Sequence, residues 1–407
     1  MAAIKKLGPR KYEVRGDFYD DEGRRHQVER RFKTKTEADE LKAKLDLGQA
    51  QAVVVRPPLF SSWIKEWFAT YQVVAELEVL TICGYQKVVD RLIVAFGPLR
   101  LNQITPSRIE GLYKRMMFPA KGTDDEITKR PLSGATCVRH HAVLRKAMEY
   151  ALRDGYVQYN PCDRVKKPRG DAPEITPPTA DEVNELLDEQ EGKVPFVAIL
   201  LLAKTVARES EVLGLQWHDI DFNIHKIHYQ RARVVPGQKT LENIALPKGS
   251  HVEQYGKTKY IIKDHLKSRH NRWSDMDSEL EDVLRAERKR QLENRLRYGE
   301  SYNDTPYVCV DDLGLPIHSK RIHDATPDGM RVHDLRHAGA SIMLGENVPL
   351  PVVSKALGHT TTVTTAKVYA HAIEDQNQRA AQAISANIGK SKIRNSSHKI
   401  PHDRTKG

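Results

Sequence analysis

An ordered series of cationic, imidazole and phenolic side chains in this chain could carry out chemistry on a phosphodiester. It consists of Arg208, His333, Arg336, His359 and Tyr369, with 23 residues from Arg336 to His359 and ten from His359 to Tyr369. Arginine suits this target because its planar, permanently charged guanidinium group can grip phosphate oxygens bidentately. A tyrosine beside such cations can become a nucleophile, since they stabilise its phenolate as charge develops. No Asp or Glu cluster accompanies the set to hold a metal at the phosphate.

The spacing of the central pair strengthens this prediction. His-x-x-Arg occurs three times, starting at His228, His318 and His333, whereas composition alone predicts about 1.4 occurrences. Only the third is followed by further members of the series, and we expect the other two to be solvated surface groups. On a helix, His333 and Arg336 share one face and can reach one phosphate together, while Asp334 points elsewhere.

The residues around this series resemble the signature of the tyrosine recombinases, the family of phage integrases and Xer recombinases. The resemblance is carried by His333-Asp-Leu-Arg-His337, by Val352-Val-Ser-Lys-Ala-Leu-Gly-His359 and by Val368-Tyr369.

A second block resembles the first arginine motif of the same family. It reads Arg208-Glu-Ser-Glu211-Val-Leu-Gly-Leu-Gln-Trp217-His-Asp219-Ile-Asp221. One departure is that Val206-Ala207 stands where a Gly-Leu pair commonly precedes the arginine, which changes backbone freedom rather than chemistry.

This resemblance implies a mechanism and a set of partners. Tyr369 would attack double-stranded DNA, form a 3′-phosphotyrosyl link and free a 5′-hydroxyl, with the other four residues of the series in catalytic roles. Because the bond energy is kept, neither ATP, another cofactor nor a metal would be required. Recombination of two duplexes needs four active sites, which implies a homotetramer on DNA.

The family also uses a lysine on a β-hairpin to protonate the leaving 5′-oxygen. The candidate is Lys267, which precedes a short basic run and a predicted helix that starts near Ser278. Residues 236–266 make the hairpin region unusually long, so Lys257 and Lys263 remain alternatives.

Composition agrees with a polyanionic partner. The 407 residues contain 65 Lys and Arg against 54 Asp and Glu, a formal charge of +11 that favours DNA. Four cysteines show no paired spacing, which argues against a zinc site or a disulfide framework and fits a reducing cytoplasm. No signal-peptide core and no apolar stretch long enough to span a bilayer is apparent, so we expect a cytoplasmic protein without membrane contact.

The N-terminal residues 1–56 predict a small sheet with one helix. Strands are expected at residues 11–15 and 27–32, followed by a helix capped by Thr36 and ended by Gly48. This pattern resembles the arm-site DNA-binding domain of many phage integrases. Candidate DNA contacts are the basic residues Arg10, Arg15, Arg24, Arg25, Arg30, Arg31 and Lys33.

Residues 59–165 predict a helical domain that resembles the family's core-binding domain. Apolar periodicity places helices at residues 63–71, 82–96, 106–117 and 136–152. Arg139 and Arg145 are the candidate DNA contacts, and the neighbouring basic residues that could also meet phosphates are Lys114, Arg115, His140 and His141.

The rest of the chain predicts a linker, a catalytic domain and a tail. Residues 166–178 are basic and proline-rich, and the catalytic domain is expected at 179–388, opening with a capping box from Thr179 to Glu182. The basic residues 389–407 lack periodicity and are predicted to be disordered. The fold class is therefore multidomain, mainly α with small β-sheets (α+β), with a mixed α/β catalytic domain.

The function that the resemblance implies is a site-specific DNA recombinase, the integrase of a temperate phage or related mobile element in a bacterial host. It would act at attachment core and arm sites, with an excisionase or directionality factor and a host DNA-bending protein as possible partners. Two alternatives stay open: DNA relaxation by a type IB topoisomerase-like enzyme, and a non-catalytic DNA-binding regulator. The attachment sequences and the subunit in which Tyr369 acts also stay open.

Overall fold

The structure is a computed structural model of the 407-residue chain. It describes residues 2–9, 11–19, 25–46, 57–119, 127–128, 130–170, 176–237, 244, 246–266, 271–369, 381–382 and 384–386. The side chains of residues 18, 19, 25, 26 and 44 are not included. Among the predicted features, Arg10, Arg24, Lys267, Gly48, the side chain of Arg25 and the tail 389–407 lie outside the described residues.

The chain forms two compact units, residues 1–174 with 237–247, and residues 175–236 with 248–407. The first unit begins with an antiparallel sheet of three strands in the order β1 (Ala3–Gly8), β2 (Lys11–Tyr19) and β3 (Arg25–Phe32). Helix α1 (Lys35–Asp46) packs its apolar side against this sheet, and the shared core includes Val14, Val28, Leu41 and Leu45.

The start of helix α1 differs from the prediction. Its capping residue is Thr34, whose hydroxyl accepts a hydrogen bond from the Glu37 amide, while the Glu37 carboxylate accepts one from the Thr34 amide. This reciprocal pair satisfies two amides of the first turn, so the predicted cap at Thr36 is wrong by two residues.

Four longer helices complete the first unit: α2 (Phe60–Val74), α3 (Val79–Phe96), α4 (Pro106–Met117) and α5 (Gly134–Arg153). Each predicted periodic stretch lies within one of them, since their apolar faces share one core. Two predicted phosphate contacts are wrong, because His140 and His141 are buried in that core. His141 bonds the Tyr113 hydroxyl at 2.7 Å, and His140 bonds the Thr136 carbonyl at 2.8 Å.

The second unit opens with helix α6 (Ala180–Gln190), and its predicted capping box is confirmed by bonds in both directions between Thr179 and Glu182. Helices α7 (Phe196–Thr205) and α8 (Glu209–Leu213) follow. The apolar helix α7 is buried at the centre of the core, where α11 (Val332–Gly345) packs on it.

Two small antiparallel sheets lie in the second unit. One has the order β4 (Ile220–Asp221), β5 (Lys226–Tyr229) and β9 (Arg272–Asp275), and the other the order β6 (Ala232–Val234), β8 (Thr258–Lys263) and β7 (Ser250–Tyr255). Within the first of them, Arg272 stands opposite Tyr229.

The remaining helices are α9 (Ser278–Tyr298), α10 (Ser319–Ala325), α12 (Leu350–Ala356) and α13 (Thr362–Val368). The predicted fold class, helical with small antiparallel sheets, is confirmed. None of the helices in the described ranges is both long and apolar enough to cross a membrane.

Helices α11 and α7 can pack closely because Gly339 has no side chain at their contact. A Cβ atom added at Gly339 would lie 2.5 Å from Val206 Cγ1 and 3.0 Å from the Ala203 carbonyl oxygen. Gly339→Ala should therefore cost about 1–3 kcal/mol in the free energy of unfolding, a typical overpacking penalty. Thermal unfolding followed by circular dichroism measures this change.

Gly345→Ala on the same helix is the matched control, since a Cβ atom there would meet nothing within 4 Å. That variant should match the wild type or exceed it by up to about 1 kcal/mol, because alanine is the better helix former. Equal unfolding midpoints for Gly339→Ala and wild type would contradict the close-packing argument.

Candidate active site

The first arginine of the series is positioned by an unusual backbone turn. Helix α7 ends at Thr205, and Val206 follows in the left-handed conformation with φ 45° and ψ 31°. A β-branched residue adopts this region at a cost of about 1–3 kcal/mol, so the surrounding packing must impose it. Val206 is indeed buried. The turn directs the chain into α8, with Arg208 as the residue that precedes the helix.

Helix α11 carries three of the polar side chains. His333, Arg336 and His337 occupy positions i, i+3 and i+4, so they share one face. The rings of His333 and His337 meet edge to face with centroids 4.9 Å apart. Asp334 lies elsewhere, as predicted, where it accepts hydrogen bonds from the Arg331 guanidinium and amide. The helix therefore presents two imidazoles and one guanidinium together.

Three arginines converge on one turn of backbone at the end of α12. Arg272 donates to the Ala356 carbonyl at 2.7 Å, Arg336 donates to the Leu357 carbonyl, and Arg208 lies 3.4 Å from the Gly358 carbonyl. Helix C-termini leave such carbonyls unpaired and carry partial negative charge, so cations stabilise them. Gly358 itself has φ 60°, which glycine adopts without strain. Three consecutive carbonyls thus hold three cations together.

One carboxylate balances part of this positive charge. Glu211 is 1% exposed and pairs with Arg208 at 2.7 Å and with Arg272 at 3.1 Å. Burial opposes its ionisation, but Arg272 and Arg208 outweigh burial and lower the pKa of Glu211. Arg272 also stacks on the Tyr229 ring at 4.6 Å. Glu211 therefore orients two guanidinium groups.

Arg336 is the most deeply buried cation of the predicted series. It is 3% exposed, and its second bond runs to the carbonyl of the strained residue Val206. Burial and the adjacent Arg208 lower the pKa of Arg336 to about 9, so it stays protonated at neutral pH. This places a fixed positive charge beside the end of α13.

The two histidines of the predicted series are neutral at pH 7 in this state. His333 is an exposed residue by surface area, yet partial loss of solvent around its ring, followed by the influence of His337 and Arg336, lowers its pKa to about 4. Half-buried His359 has its pKa lowered to about 4 by burial and then by Arg336 and Arg208. The His359 Nδ1 atom bonds the Thr365 hydroxyl at 2.8 Å, which orients the ring.

Tyr369 follows directly after α13 and is 5% exposed. Its ring packs in an apolar cluster with Val206, Leu344 and Leu357. Burial raises the pKa of Tyr369 to about 12, and the nearby Arg336 reduces that rise. The phenolic Oη atom lies 2.9 Å from His337 Nδ1. A protonated phenol thus faces an imidazole nitrogen beside a cluster of cations.

The structure brings together five of the six predicted catalytic residues, and the sixth, Lys267, lies outside the described residues. The alternative Lys257 occupies the exposed turn between β7 and β8, and Lys263 is buried in β8.

Arg272, His337 and Glu211 also belong to this site, although the sequence patterns did not predict a role for any of them. The signal for His337 was its i+4 spacing from His333. For Arg272, 61 residues from Glu211 and 84 from Ala356, no local signal existed.

Several predicted DNA contacts are engaged with acids. Arg15 and Arg31 both pair with the buried Glu13, at 3.1 and 3.0 Å, on the face of the sheet opposite Val14. Arg145 pairs with Asp163 at 2.7 Å. Among the predicted contacts, Arg30, Lys33 and Arg139 are exposed.

A model of the phage integrase family matches residues 317–376, the segment that contains His333, Arg336, His359 and Tyr369. A tyrosine recombinase XerC-like protein of Caldanaerobacter subterraneus subsp. tengcongensis is 29% identical over 258 residues. That alignment covers 59% of this chain and 63% of the relative, less than two thirds of the relative's length.

Solved structures share the fold. The Tn1549 transposon integrase in complex with transposon right end DNA is 19% identical with a TM-score of 0.58, covering 81% of this chain and 99% of that one. A lambda integrase tetramer bound to a Holliday junction gives 14% identity and a TM-score of 0.51, covering 88% and 97%. The signature residues, the family model over residues 317–376 and the shared fold all make this chain similar to the tyrosine recombinases of the phage integrase family.

Proposed function

We propose that this protein is a site-specific DNA recombinase that cleaves and rejoins DNA through Tyr369. The observation that carries the proposal is the position of Tyr369, which lies near the Arg336 guanidinium and directly follows the helix whose Thr365 hydroxyl bonds His359. A tyrosine with a purely structural role would not require three arginines on the carbonyls of residues 356–358.

In the proposed reaction, the Tyr369 oxygen attacks the scissile phosphorus and the 5′-oxygen leaves. Arg208 and Arg336 hold the non-bridging oxygens, where their charge stabilises the extra negative charge of the transition state. His333 and His359 add hydrogen bonds to the same phosphate, and an anion beside them raises their pKa values from the low range of the free protein. Since an ester is exchanged for an ester, neither ATP nor a metal enters the balance.

Lys267 is the proposed general acid for the leaving 5′-oxygen. It precedes Arg272 by five residues, and Arg272 bonds the Thr205 and Ala356 carbonyls within the arginine cluster. This proximity in the chain supports Lys267 over Lys257, which lies on the hairpin of the other sheet.

The proposed biological role is integration or excision of a phage or related mobile element in the cytoplasm of a bacterial host. Two duplexes contain four strands to be cut, so we propose a homotetramer on DNA, as in the lambda integrase complex on a Holliday junction. Tyr369 lies with Arg336 of its own chain, which supports cleavage within one subunit. Directionality factors and a host DNA-bending protein are proposed partners.

The two alternatives make different predictions for DNA. A type IB topoisomerase-like enzyme would relax one supercoiled duplex without exchanging strands between two marked sites, so an exchange assay with two labelled attachment sites distinguishes it. A regulator would bind without forming a covalent link. For the N-terminal sheet and α1, we propose binding to separate arm sites, supported by the exposed Arg30 and Lys33.

The nucleophile assignment predicts that Tyr369→Phe binds attachment DNA with unchanged affinity and forms no covalent adduct with a nicked suicide substrate. Phenylalanine keeps the apolar contacts of the ring but removes the attacking oxygen. Denaturing electrophoresis of the adduct and a gel shift for binding measure the two effects. Tyr298→Phe on α9 is the matched control and should form adduct like the wild type, whereas an adduct in Tyr369→Phe would refute the assignment.

The general-acid assignment predicts that Lys267→Ala cleaves ordinary DNA about a hundredfold or more slowly. A bridging 5′-phosphorothiolate should restore most of that rate, because a sulfur leaving group needs no proton. Arg336→Ala should not recover on this substrate, since the non-bridging oxygens are unchanged. Wild-type cleavage by Lys267→Ala would transfer the role to Lys257 or Lys263, and alanine variants of those two on both substrates would decide between them.

The arm-site proposal predicts a change in the salt dependence of binding. The double variant Arg30→Ala/Lys33→Ala should lower the slope of log K against log salt for arm-type DNA by up to about 2, one for each lost phosphate contact. Cleavage at the core site should be unchanged. Lys289→Ala, 78% exposed on α9, is the control. Identical slopes for the double variant and the wild type would count against arm binding.

A further inference from the structure

The buried phenol of Tyr369 must lose its proton before or while it attacks phosphorus, because a neutral hydroxyl is a weak nucleophile. Its pKa of about 12 means that the fraction of phenolate at neutral pH is small. A base within hydrogen-bond distance would solve this problem. The structure has such a group at the Oη atom, a histidine outside the predicted catalytic series.

That group is His337, whose Nδ1 atom lies 2.9 Å from Tyr369 Oη. The two rings have centroids 5.7 Å apart, so the phenol approaches the edge of the imidazole that carries Nδ1. His337 comes from α11 and Tyr369 from the residue after α13, so a contact across 32 residues of chain joins the two.

The other groups near Tyr369 are less suited to accept this proton. Arg336 and Arg208 are donors only. The Nδ1 atom of His359 is already engaged with the Thr365 hydroxyl. His333 contacts His337 edge to face, with ring centroids 4.9 Å apart, and its proposed role is a hydrogen bond to the phosphate.

We propose that His337 is the general base that takes the proton of Tyr369 during cleavage and returns it during rejoining. This inference rests on the proposed recombinase function. In cleavage, the Oη–H bond breaks and the proton moves to Nδ1 as the Oη–P bond forms. The P–O5′ bond breaks and the 5′-oxygen takes its proton from the separate general acid. In rejoining, the same atoms and electron pairs move in reverse, and the phenol recovers its proton from His337.

The charges around His337 favour this role. Burial lowers its pKa below the ordinary 6.5, and Arg336 and Arg331 act in the same direction against Asp334. His333 and His359 are neutral neighbours at pH 7. The imidazole is therefore neutral at pH 7 and can accept a proton, provided that its own proton is on Nε2. After the proton transfer, the His337 imidazolium lies beside the negatively charged phosphotyrosyl group, which stabilises its positive charge.

The test uses the full-length His337→Asn variant, since asparagine can keep a hydrogen bond to the phenol but cannot take its proton. At pH 7 it should cleave a nicked suicide substrate about 10²- to 10⁴-fold more slowly than the wild type, with unchanged DNA binding. The wild-type rate should be flat around pH 7 and fall only at a pH below the lowered pKa of His337, where the imidazole becomes protonated. The variant's rate should rise about tenfold per pH unit, because hydroxide must form the phenolate.

A matched control and a second substrate isolate the assignment. His225→Asn should match the wild type, since His225 is exposed, pairs with Glu281 and already has φ 54°, which asparagine tolerates. The bridging 5′-phosphorothiolate should not rescue His337→Asn, because the missing proton transfer is at the nucleophile. Added imidazole should partly restore His337→Ala, and this second variant decides the question if His337→Asn binds DNA poorly.

Cleavage by His337→Asn within threefold of the wild type, or a slow rate with the wild-type pH profile and no imidazole rescue of His337→Ala, would overturn the inference. Tyr369→Phe separates this failure from failure of the recombinase proposal. A covalent adduct in Tyr369→Phe would remove both, whereas an inert Tyr369→Phe beside a fully active His337→Asn would remove only the role of His337.

Discussion

The structure depends on keeping three positive charges close together in a partly buried place. Arg208, Arg272 and Arg336 would repel one another and lose hydration, and each effect grows as water is excluded. The protein offsets both with the Glu211 carboxylate and with three consecutive carbonyls, at residues 356 to 358. Removing one partner from such a buried set typically costs about 3–5 kcal/mol. The end of α12 is therefore as much part of the site as the side chains.

This arrangement explains several local features that otherwise look unrelated. The left-handed turn at Val206 aims its own carbonyl at Arg336, and the left-handed Gly358 closes the turn that carries the other carbonyls. The close approach of Gly339 to Val206 holds α11 against that turn. Each of these backbone features helps to place a guanidinium group or the carbonyl that it bonds. The apolar cluster around Tyr369 packs Val206, α11 and α12 together.

The sequence alone predicted those site residues whose spacing along the chain places them on one helix face. His333 and Arg336 share a helix face, and the apolar periodicity of the four long helices predicted their positions to within a few residues. It could not predict Arg272, because its contacts with Glu211 and Ala356 join distant strands and helices. Strand β1 was missed since its burial does not alternate, and the ladder with β2 defines it. His140 and His141 were predicted to lie at the surface because they are polar, and the sequence does not show the hydrogen bonds to Tyr113 and Thr136 that allow their burial.

The charge count of the arginine cluster has a consequence for how tightly this site should hold DNA. Three guanidinium groups and one carboxylate leave a net charge of +2, from three positive and one negative. An intact phosphodiester carries one negative charge, whereas the five-coordinate phosphorus formed on attack by a phenolate carries two. The charge of the cluster therefore matches the transition state better than it matches intact DNA. Glu211 lowers the attraction of the cluster for intact DNA, so that the cluster stabilises the transition state more than the ground state.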